Sequence, residues 1–263
     1  MFTNCFSKTK TYRSRLLPGV DDRQSKILGF SQAKLSDAVI LCAGAGGLGT
    51  TIGQALARKG VGHLFLADRD TVEPSNLNRQ LFYKRDLWRN KAVRSAKNLA
   101  RESFLGTTFT GVPANAMEAL RSGLVPRVDC IVSSVDNDLT REELSDYALA
   151  SGLPLITVAV SGDGDGGYVH VQKPGESCWG CAFPRGRRIR DDLDSYRAPC
   201  PGTPAIKDIL MVVSGIAVYA IDTLFMERPV AWNYCDFHMA GYMPGAATRI
   251  ERLPGCHLCG GIT

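Results

Sequence analysis

The sequence lacks a long uninterrupted hydrophobic run. Its longest apolar stretch, residues 209–221, is broken by Ser214 and Gly215 and ends before Asp222. A membrane-spanning helix needs about 20 apolar residues, so this stretch is too short for a span and predicts a buried helix. Residues 1–22 contain scattered Lys and Arg but no apolar segment typical of a signal peptide. We therefore expect a cytoplasmic location without membrane contact.

A strong excess of one charge is also absent, since 31 Lys and Arg against 26 Asp and Glu give a formal charge of +5. The densest basic run is short and no aromatic residues are interleaved with it, and we therefore expect no nucleic-acid partner. The densest basic run contains Arg185, Arg187, Arg188 and Arg190. It predicts either a surface for an acidic partner protein or a solvated loop. No internal repeat or low-complexity tract occurs.

What is present is an alternation of strand-like and helix-like segments. Apolar runs predict strands at 38–42, 63–67, 108–112, 130–134, 155–159, 168–171 and 231–236. Helical patterns fall at 48–59, 91–102, 115–122, 139–150 and 209–226. Such alternation predicts an α/β, Rossmann-like fold with a mostly parallel sheet and helices on both faces. A chain of 263 residues with 44% apolar content has enough material for one sizeable core.

A glycine turn lies between the first predicted strand and helix. Residues 44–49 read Gly-Ala-Gly-Gly-Leu-Gly, and Asp68 follows the next apolar run. In this context glycines let the backbone approach a phosphate, the helix N-terminus supplies positive charge, and the acid binds ribose hydroxyls. The alternative is a turn that only packs helix on strand. We predict a nucleotide site.

Polar residues downstream of the glycine turn indicate whether the site binds ATP or the dinucleotide of a dehydrogenase. Asp70, Arg79 and Lys91 follow Asp68, and Asp136 comes after a later strand. Hydride transfer has no need of them, whereas attack on the α-phosphate of ATP uses cations to neutralise charge and an acid to hold Mg²⁺. The set therefore indicates adenylyl transfer, and a dehydrogenase would leave these residues unexplained.

Two CxxC pairs form a second constellation, Cys178 with Cys181 and Cys256 with Cys259. Four thiolates at this spacing can hold one Zn²⁺ tetrahedrally and leave no open coordination position. We therefore predict a structural zinc site that ties the C-terminal segment to the middle of the chain. Free or disulfide-bonded cysteines are the alternative, which a reducing cytoplasm disfavours. Cys42, Cys130 and Cys235 lie in apolar runs and predict small core residues.

From Arg23 to Asp136, and most specifically in the run Asn-Leu-Asn-Arg-Gln at 76–80, the chain resembles the ubiquitin-activating-enzyme superfamily, the ThiF- and MoeB-like adenylyltransferases. The resemblance covers about 21–260. It implies that four glycines line the ATP phosphates, that Asp68 binds the ribose, and that four further side chains surround the triphosphate and its Mg²⁺. These are Gly44, Gly46, Gly47 and Gly49, and then Asn76, Arg79, Lys91 and Asp136.

The resemblance also implies two less local features, and the chain departs from the family at one point. Arg23 matches an arginine that reaches across a homodimer into the partner's ATP site, although a solvated arginine is the alternative. The glycine-rich stretch 162–167 would form the floor of a channel for the tail of a carrier protein. Before Lys91 the chain reads Arg89-Asn90, where the family usually has a glycine and a proline.

Cys200, between Pro199 and Pro201, falls in the family's crossover loop. Nearby arginines would favour its thiolate, so we predict a thioester or persulfide nucleophile, against an incidental loop thiol. The resemblance implies ATP-dependent adenylation of the C-terminal glycine of a ubiquitin-like protein. We expect this step to be followed by thioester formation on Cys200 and transfer to a conjugating enzyme, in a bacterial conjugation system such as an antiviral defence system.

The alternative within the family is adenylation of a ubiquitin-like sulfur carrier for thiamin, molybdopterin or related sulfur transfer. An inactive scaffold is disfavoured because Arg79, Lys91 and Asp136 are all present. We predict a leader at 1–22 that is poorly ordered or a dimer arm, and a single adenylation domain at 23–263. Its ATP-binding half is 23–160, its crossover loop about 182–206, and its zinc-bound part 161–263.

Overall fold

The structure is a computed structural model and describes residues 9–184, 204–240 and 242–260. One nine-stranded sheet organises it, in the order β1-β4-β3-β2-β5-β6-β7-β8-β9. The strands are β1 (Lys10–Arg13), β2 (Val39–Ala43), β3 (His63–Ala67), β4 (Thr108–Val112), β5 (Cys130–Ser133), β6 (Leu155–Val160), β7 (Gly166–Gln172), β8 (Tyr234–His238) and β9 (Tyr242–Thr248).

The centre of the sheet is parallel. Strands β4, β3, β2, β5 and β6 run in one direction, with Ala43 paired to both Ala67 and Ser133. These strands are almost continuously buried, as expected for parallel strands covered on both faces. Their carboxyl ends therefore meet at one edge, where the glycine turn and Asp68 follow β2 and β3.

Helices cover both faces of the sheet. They are α1 (Gln32–Asp37), α2 (Gly47–Lys59), α3 (Lys91–Glu102), α4 (Ala116–Arg121), α5 (Asp138–Ser151), α6 (Trp179–Ala182) and α7 (Lys207–Phe225). Apolar residues of α2, α3 and α7 form the larger core on one face, and those of α4 and α5 form the smaller core on the other. The predicted α/β fold with helices on both faces is confirmed.

The sheet extends beyond its parallel centre in antiparallel fashion. On one side β7, β8 and β9 follow β6 by antiparallel pairing. On the other side β1 pairs antiparallel with β4, with Tyr12 opposite Phe109. Of the two alternatives expected for the leader over 1–22, poor order does not apply to Lys10–Arg13, because backbone hydrogen bonds fix this segment as the sheet's edge strand. The dimer arm stays a prediction.

Helix α7 is the predicted buried helix, and it is longer than the apolar run suggests. It has 19 residues and, by length and composition, is the one helix in the described ranges that could cross a membrane. The expectation that the segment is too short for a span is therefore wrong. The helix packs on α2, β6 and β7, and its residues Val213, Ala217 and Ile221 are buried in the larger core.

Candidate active site and metal centre

A cavity of about 810 Å³ opens at the carboxyl ends of β2, β3, β5 and β6. Open α/β sheets bind ligands at this edge. The cavity collects residues that are far apart in the sequence, and nine of the ten predicted nucleotide-binding residues line it. They are Gly44, Gly46, Gly47, Asp68, Asp70, Asn76, Arg79, Lys91 and Asp136.

The glycine turn begins where β2 ends. Gly44 has a φ of +97°, and a Cβ there would lie 2.9 Å from the Ser134 Oγ, so neither the backbone angle nor the space accepts a side chain. At Gly46 nothing lies within 4 Å of an added Cβ, and this glycine faces the cavity. Helix α2 starts at Gly47, so its free N–H groups lie beside the cavity, where an anion would bind.

Gly49 is the tenth predicted residue, and it is not among the residues that line the cavity. It is buried in the first turn of α2, where a Cβ would lie 2.1 Å from the Gly44 carbonyl oxygen. The expectation that Gly49 lines the phosphates is therefore corrected. This glycine is needed because α2 packs directly against the turn.

Asp68 follows β3 and is fixed by the turn. Its Oδ2 accepts a hydrogen bond from the Ala45 N–H at 2.7 Å, and its Oδ1 accepts one from the Asp70 N–H at 2.8 Å. Burial raises the pKa of this carboxyl above its ordinary value, and the two N–H donors act in the opposite direction. Each oxygen keeps a further lone pair, so the carboxylate can accept from ribose hydroxyls.

Two cations flank the cavity. The Lys91 Nζ lies 3.1 Å from the Asp70 Oδ2. The Arg79 Nη1 donates to the Ser75 carbonyl at 2.5 Å and to the Asn78 Oδ1 at 3.0 Å. Both side chains are positioned by short local contacts and retain further N–H donors for phosphate oxygens.

Asn76 and Asp136 differ in their surroundings. Asn76 is buried, and its Oδ1 accepts a hydrogen bond from the Glu73 N–H at 3.0 Å, so this atom stabilises the 3-10 turn Pro74–Asn76. Asp136 is exposed between β5 and α5, and its Oδ1 lies 3.5 Å from the Asn137 Nδ2. An exposed carboxylate at a nucleotide cavity suits Mg²⁺, a hard cation that prefers oxygen ligands.

Arg141 is a cavity residue that the sequence reasoning missed. It lies on the first turn of α5, donates from Nη1 to the Asp138 Oδ1 at 2.7 Å, and from Nη2 to the Val135 carbonyl at 2.8 Å. These bonds hold the segment that precedes Asp136, so we assign Arg141 a positioning role. The signal in the sequence is the i,i+3 pair formed by Asp138 and Arg141.

The remaining predicted residues fall elsewhere. Arg23 is exposed beside Asp22, 3.8 Å from it, and it does not line the cavity of its own chain. Gly162 lines the cavity, whereas Gly166 and Gly167 lie in β7 and only part of the stretch 162–167 can form a channel floor. Cys200 and the arginine cluster, Arg185, Arg187, Arg188 and Arg190, lie outside the described residues.

The two CxxC pairs meet away from the cavity. The Sγ of Cys178 lies 3.7 Å from that of Cys181 and 3.5 Å from that of Cys256, and Cys181 and Cys259 are 3.6 Å apart. All four sulfurs lie within 4.8 Å of one another. Tetrahedral Zn–S bonds of about 2.3 Å place sulfurs about 3.8 Å apart, so the cluster fits a structural Zn²⁺. Each of these cysteines is free of a disulfide.

Three further cysteines belong to the core, as predicted. Cys42, Cys130 and Cys235 are buried and free. Burial raises the pKa of Cys42 to about 12 and raises that of Cys130 as well, so both stay protonated and unreactive at neutral pH.

The sheet is open with a parallel centre, and a glycine turn at a helix N-terminus adjoins a cavity with two cations and exposed carboxylates. Together these features define a nucleotide-binding α/β enzyme. The model of the ThiF family matches residues 13–237. The chain belongs to the ThiF family.

Named relatives agree with this membership. The chain is 32% identical over 245 residues to the sulfur carrier protein ThiS adenylyltransferase of Escherichia coli strain K12, covering 88% of this chain and 89% of that one. It is 35% identical over 240 residues to the adenylyltransferase and sulfurtransferase MOCS3-1 of Zea mays, covering 87% of this chain and 48% of the maize protein. The predicted enzyme class, an ATP-dependent adenylyltransferase, is confirmed.

Solved structures show the same fold. The structure of Escherichia coli MccB with ATP has a TM-score of 0.71 at 20% identity and covers 87% of this chain and 68% of MccB. The structure of PaaA has a TM-score of 0.64 at 20% identity, with 83% and 75% covered. At this identity the likeness establishes the fold alone.

Proposed function

We propose that this chain adenylates the C-terminal glycine of a ubiquitin-like sulfur carrier protein, at the expense of ATP. One observation carries the proposal: a single cavity joins the glycine turn, Asp68, Arg79, Lys91 and Asp136. Relatives named for the adenylation of a sulfur carrier and for sulfur transfer support this substrate class. We accordingly prefer sulfur transfer to protein conjugation.

The residues that line the cavity have separate roles in the adenylation reaction. The N–H groups at the start of α2 bind phosphate oxygens, and Asp68 holds the ribose. Arg79 and Lys91 stabilise the negative charge that builds up as a carboxylate oxygen of the carrier attacks the α-phosphorus. The bond to the pyrophosphate oxygen breaks, so the products are an acyl-adenylate and pyrophosphate.

Mg²⁺ fits this site because Asp136 and Asp70 are exposed carboxylates on the cavity wall. When bound, it would neutralise phosphate charge and assist the departure of pyrophosphate. No general base is required, since a C-terminal carboxyl group with a pKa of about 3.5 is ionised at neutral pH. The catalytic contribution of the protein is therefore positioning and charge stabilisation.

We also propose a homodimer. Helix α7 exposes Met211, Gly215 and Tyr219 at intervals of four residues, and Met211 and Tyr219 are 53% and 50% exposed. An apolar stripe on a central helix is suited to a second copy of the same helix. Arg23 would then act on the cavity of the partner. Sedimentation of the wild type and of Tyr219→Glu tests this, and a monomeric wild type contradicts it.

Thioester formation on Cys200 with transfer to a conjugating enzyme is a second candidate, favoured by the Pro-Cys-Pro sequence at 199–201. Wild type and Cys200→Ala, incubated with ATP, Mg²⁺ and ubiquitin-like proteins, distinguish the two on non-reducing gels. A reducible adduct in wild type alone supports the thioester. Its absence in both favours adenylation only.

The central experiment is ATP–pyrophosphate exchange that depends on added ubiquitin-like proteins. Arg79→Ala and Asp136→Ala should abolish exchange and retain the fold. Arg127→Ala is the matched control, because Arg127 is exposed and lies before β5 at the opposite edge of the sheet. Near-normal exchange in Arg79→Ala or Asp136→Ala would overturn the proposed site.

A further inference from the structure

The loop before Lys91 presents an unusual residue at the surface. Trp88 has a φ of +64°, and its side chain is 70% exposed. Positive φ is unfavourable for a bulky L-residue, because its Cβ approaches the neighbouring carbonyl. Because the indole is exposed, packing contacts of this side chain do not offset the free-energy cost of the positive φ. A side chain that is both strained and unburied indicates a role outside folding.

Neighbouring side chains extend this exposed position into a surface patch formed by residues 83–89. We call this patch the basic–aromatic segment. Lys84, Arg85 and Arg89 are exposed, and Tyr83 is 43% exposed with the Arg85 guanidinium 4.3 Å from its ring centre. In the described part of the chain, no carboxylate forms an ion pair with these three cations. The segment therefore offers two aromatic rings and unneutralised positive charge.

The segment is held rigidly from below. Asp86 is fully buried, where its Oδ1 accepts from the Arg94 Nε at 2.7 Å and its Oδ2 accepts from Asn98 at 2.8 Å and from the Tyr83 N–H at 3.0 Å. Trp88 is fixed by its own N–H, which donates to the Val72 carbonyl at 2.9 Å. Such preorganisation lowers the entropy cost of binding.

The segment also adjoins the catalytic cavity. Lys91 lines the cavity and lies three residues after Trp88, a separation of at most about 10 Å along the chain. The Asn90 Nδ2 donates to the Asp68 carbonyl at 2.8 Å. A globular protein whose tail enters the cavity must contact the surface around its mouth, and the Trp88–Arg89 end of the segment lies beside Lys91 there. The Tyr83 end extends away from the mouth, where the Tyr83 hydroxyl donates to the Glu102 Oε1 at 3.3 Å at the end of α3.

We propose that the basic–aromatic segment at 83–89 docks an acidic face of the protein whose C-terminus is adenylated, with Trp88 as the central anchor. This inference rests on the proposed function. Trp, Tyr and Arg are the residue types that dominate binding hot spots in protein interfaces, and the exposed cations complement a negatively charged partner.

The test compares Trp88→Gly with wild type in carrier-dependent pyrophosphate exchange. Glycine accepts positive φ, so the variant should unfold at a higher temperature than wild type while its KM for the carrier rises about tenfold or more. Its KM for ATP should stay unchanged. Arg85→Glu should also raise the KM for the carrier, and Arg127→Glu, a matched exposed arginine away from the rim, should not.

A second readout uses the indole itself. Of the three tryptophans, Trp179 is 1% exposed, Trp232 is partly buried against the larger core and Trp88 is 70% exposed, so Trp88 is the most accessible to quenching of its fluorescence by acrylamide. A tryptophan-free carrier should protect wild type from quenching and leave Trp88→Gly unaffected. If exchange proceeds while neither the KM nor the quenching responds, the docking inference fails and the proposed function stands. If wild type shows no exchange with any carrier, the proposed function fails and the docking inference fails with it.

Single-stranded nucleic acid is the competing ligand for a surface with aromatic rings and cations. A labelled oligonucleotide that binds wild type, is released by Trp88→Gly and competes with the carrier would overturn the assignment to a protein. Lack of such competition supports it.

Discussion

The Lys91 Nζ lies 3.1 Å from the Asp70 Oδ2 at the mouth of the cavity. The lysine side chain is 13% exposed and the aspartate side chain 59%, so the ammonium group is held inside the rim by an acid that faces solvent. The pair thus keeps a cation in place for an incoming triphosphate.

Lys91→Met should lower pyrophosphate exchange about 100-fold or more, because one stabilising cation is lost from the transition state. Stability should change by about 1 kcal/mol at most, since a partly exposed ion pair contributes little. Exchange kinetics and thermal unfolding measure both effects. Lys34→Met, which removes a lysine paired with Glu227 at 3.2 Å, is the control and should retain exchange. Unchanged exchange in Lys91→Met would contradict the role of this lysine.

Gly46→Ala and Gly49→Ala should affect different properties, ATP binding in the first variant and folding stability in the second. At Gly49 a methyl group meets the Gly44 carbonyl at 2.1 Å, so this variant should be strongly destabilised. At Gly46 the methyl group meets nothing within 4 Å. That variant should fold with near-normal stability and bind ATP weakly, because the methyl group occupies the space that phosphates need. Thermal unfolding and ATP titration distinguish the two, and equal destabilisation would refute the assignment.

Cys256→Ala should lose bound zinc and unfold at a lower temperature, because three thiolates no longer complete the tetrahedral site. The stability lost should be several kcal/mol, up to about 10. Metal analysis by mass spectrometry is the measurement. Cys235→Ala removes a buried cysteine outside the cluster and should keep one zinc per chain. A metal content that is equal in the two variants would exclude the four-cysteine site.

His170 should make the protein acid-sensitive. It is fully buried in β7, and within the described ranges neither of its ring nitrogens has a hydrogen-bond partner. Burial lowers its pKa to about 4, whereas an unfolded chain protonates histidine near pH 6.5. Between these two values the unfolded state binds more protons, so the free energy of unfolding falls as the pH falls.

His170→Gln should lose this dependence, which amounts to about 3 kcal/mol at most between about pH 6.5 and pH 4. Urea denaturation at several pH values measures it. Acid also releases zinc from thiolates, but that contribution is common to both proteins and cancels in their difference. Parallel pH profiles for wild type and variant would show that His170 is already satisfied in the native state.

Local patterns predicted the centre of the fold well. The strands His63–Ala67 and Thr108–Val112 and the helix Lys91–Glu102 have the predicted bounds, because buried strands and a capped amphipathic helix leave a clear periodic signal. Lys10–Arg13 was missed because this edge strand is exposed except for a half-buried Tyr12 and has no apolar run. The antiparallel strand Tyr242–Thr248 was missed for a similar reason, since its pairing with β8 depends on tertiary contacts.

The candidate site was predictable where a motif is local. Both CxxC pairs and the residues around the glycine turn converge as their spacing indicates. The packing role of Gly49 could not be predicted from the sequence. A side chain is excluded there because the Gly44 carbonyl oxygen lies too close, which only the structure shows. The positive φ of Trp88 could not be predicted either, since backbone angles in a loop depend on the tertiary contacts that fix it.

The cysteine cluster has a consequence for the order of assembly. Cys178 precedes Cys256 by 78 residues, so on a ribosome adding about 5–20 residues per second the first pair waits roughly 4–16 s for the second. During that interval a metal ion captured by the first pair would be half-coordinated and open to exchange. Closure of a four-thiolate zinc site would therefore be a late event in biosynthesis, and a limited zinc supply would leave the segment around Cys256 and Cys259 undocked.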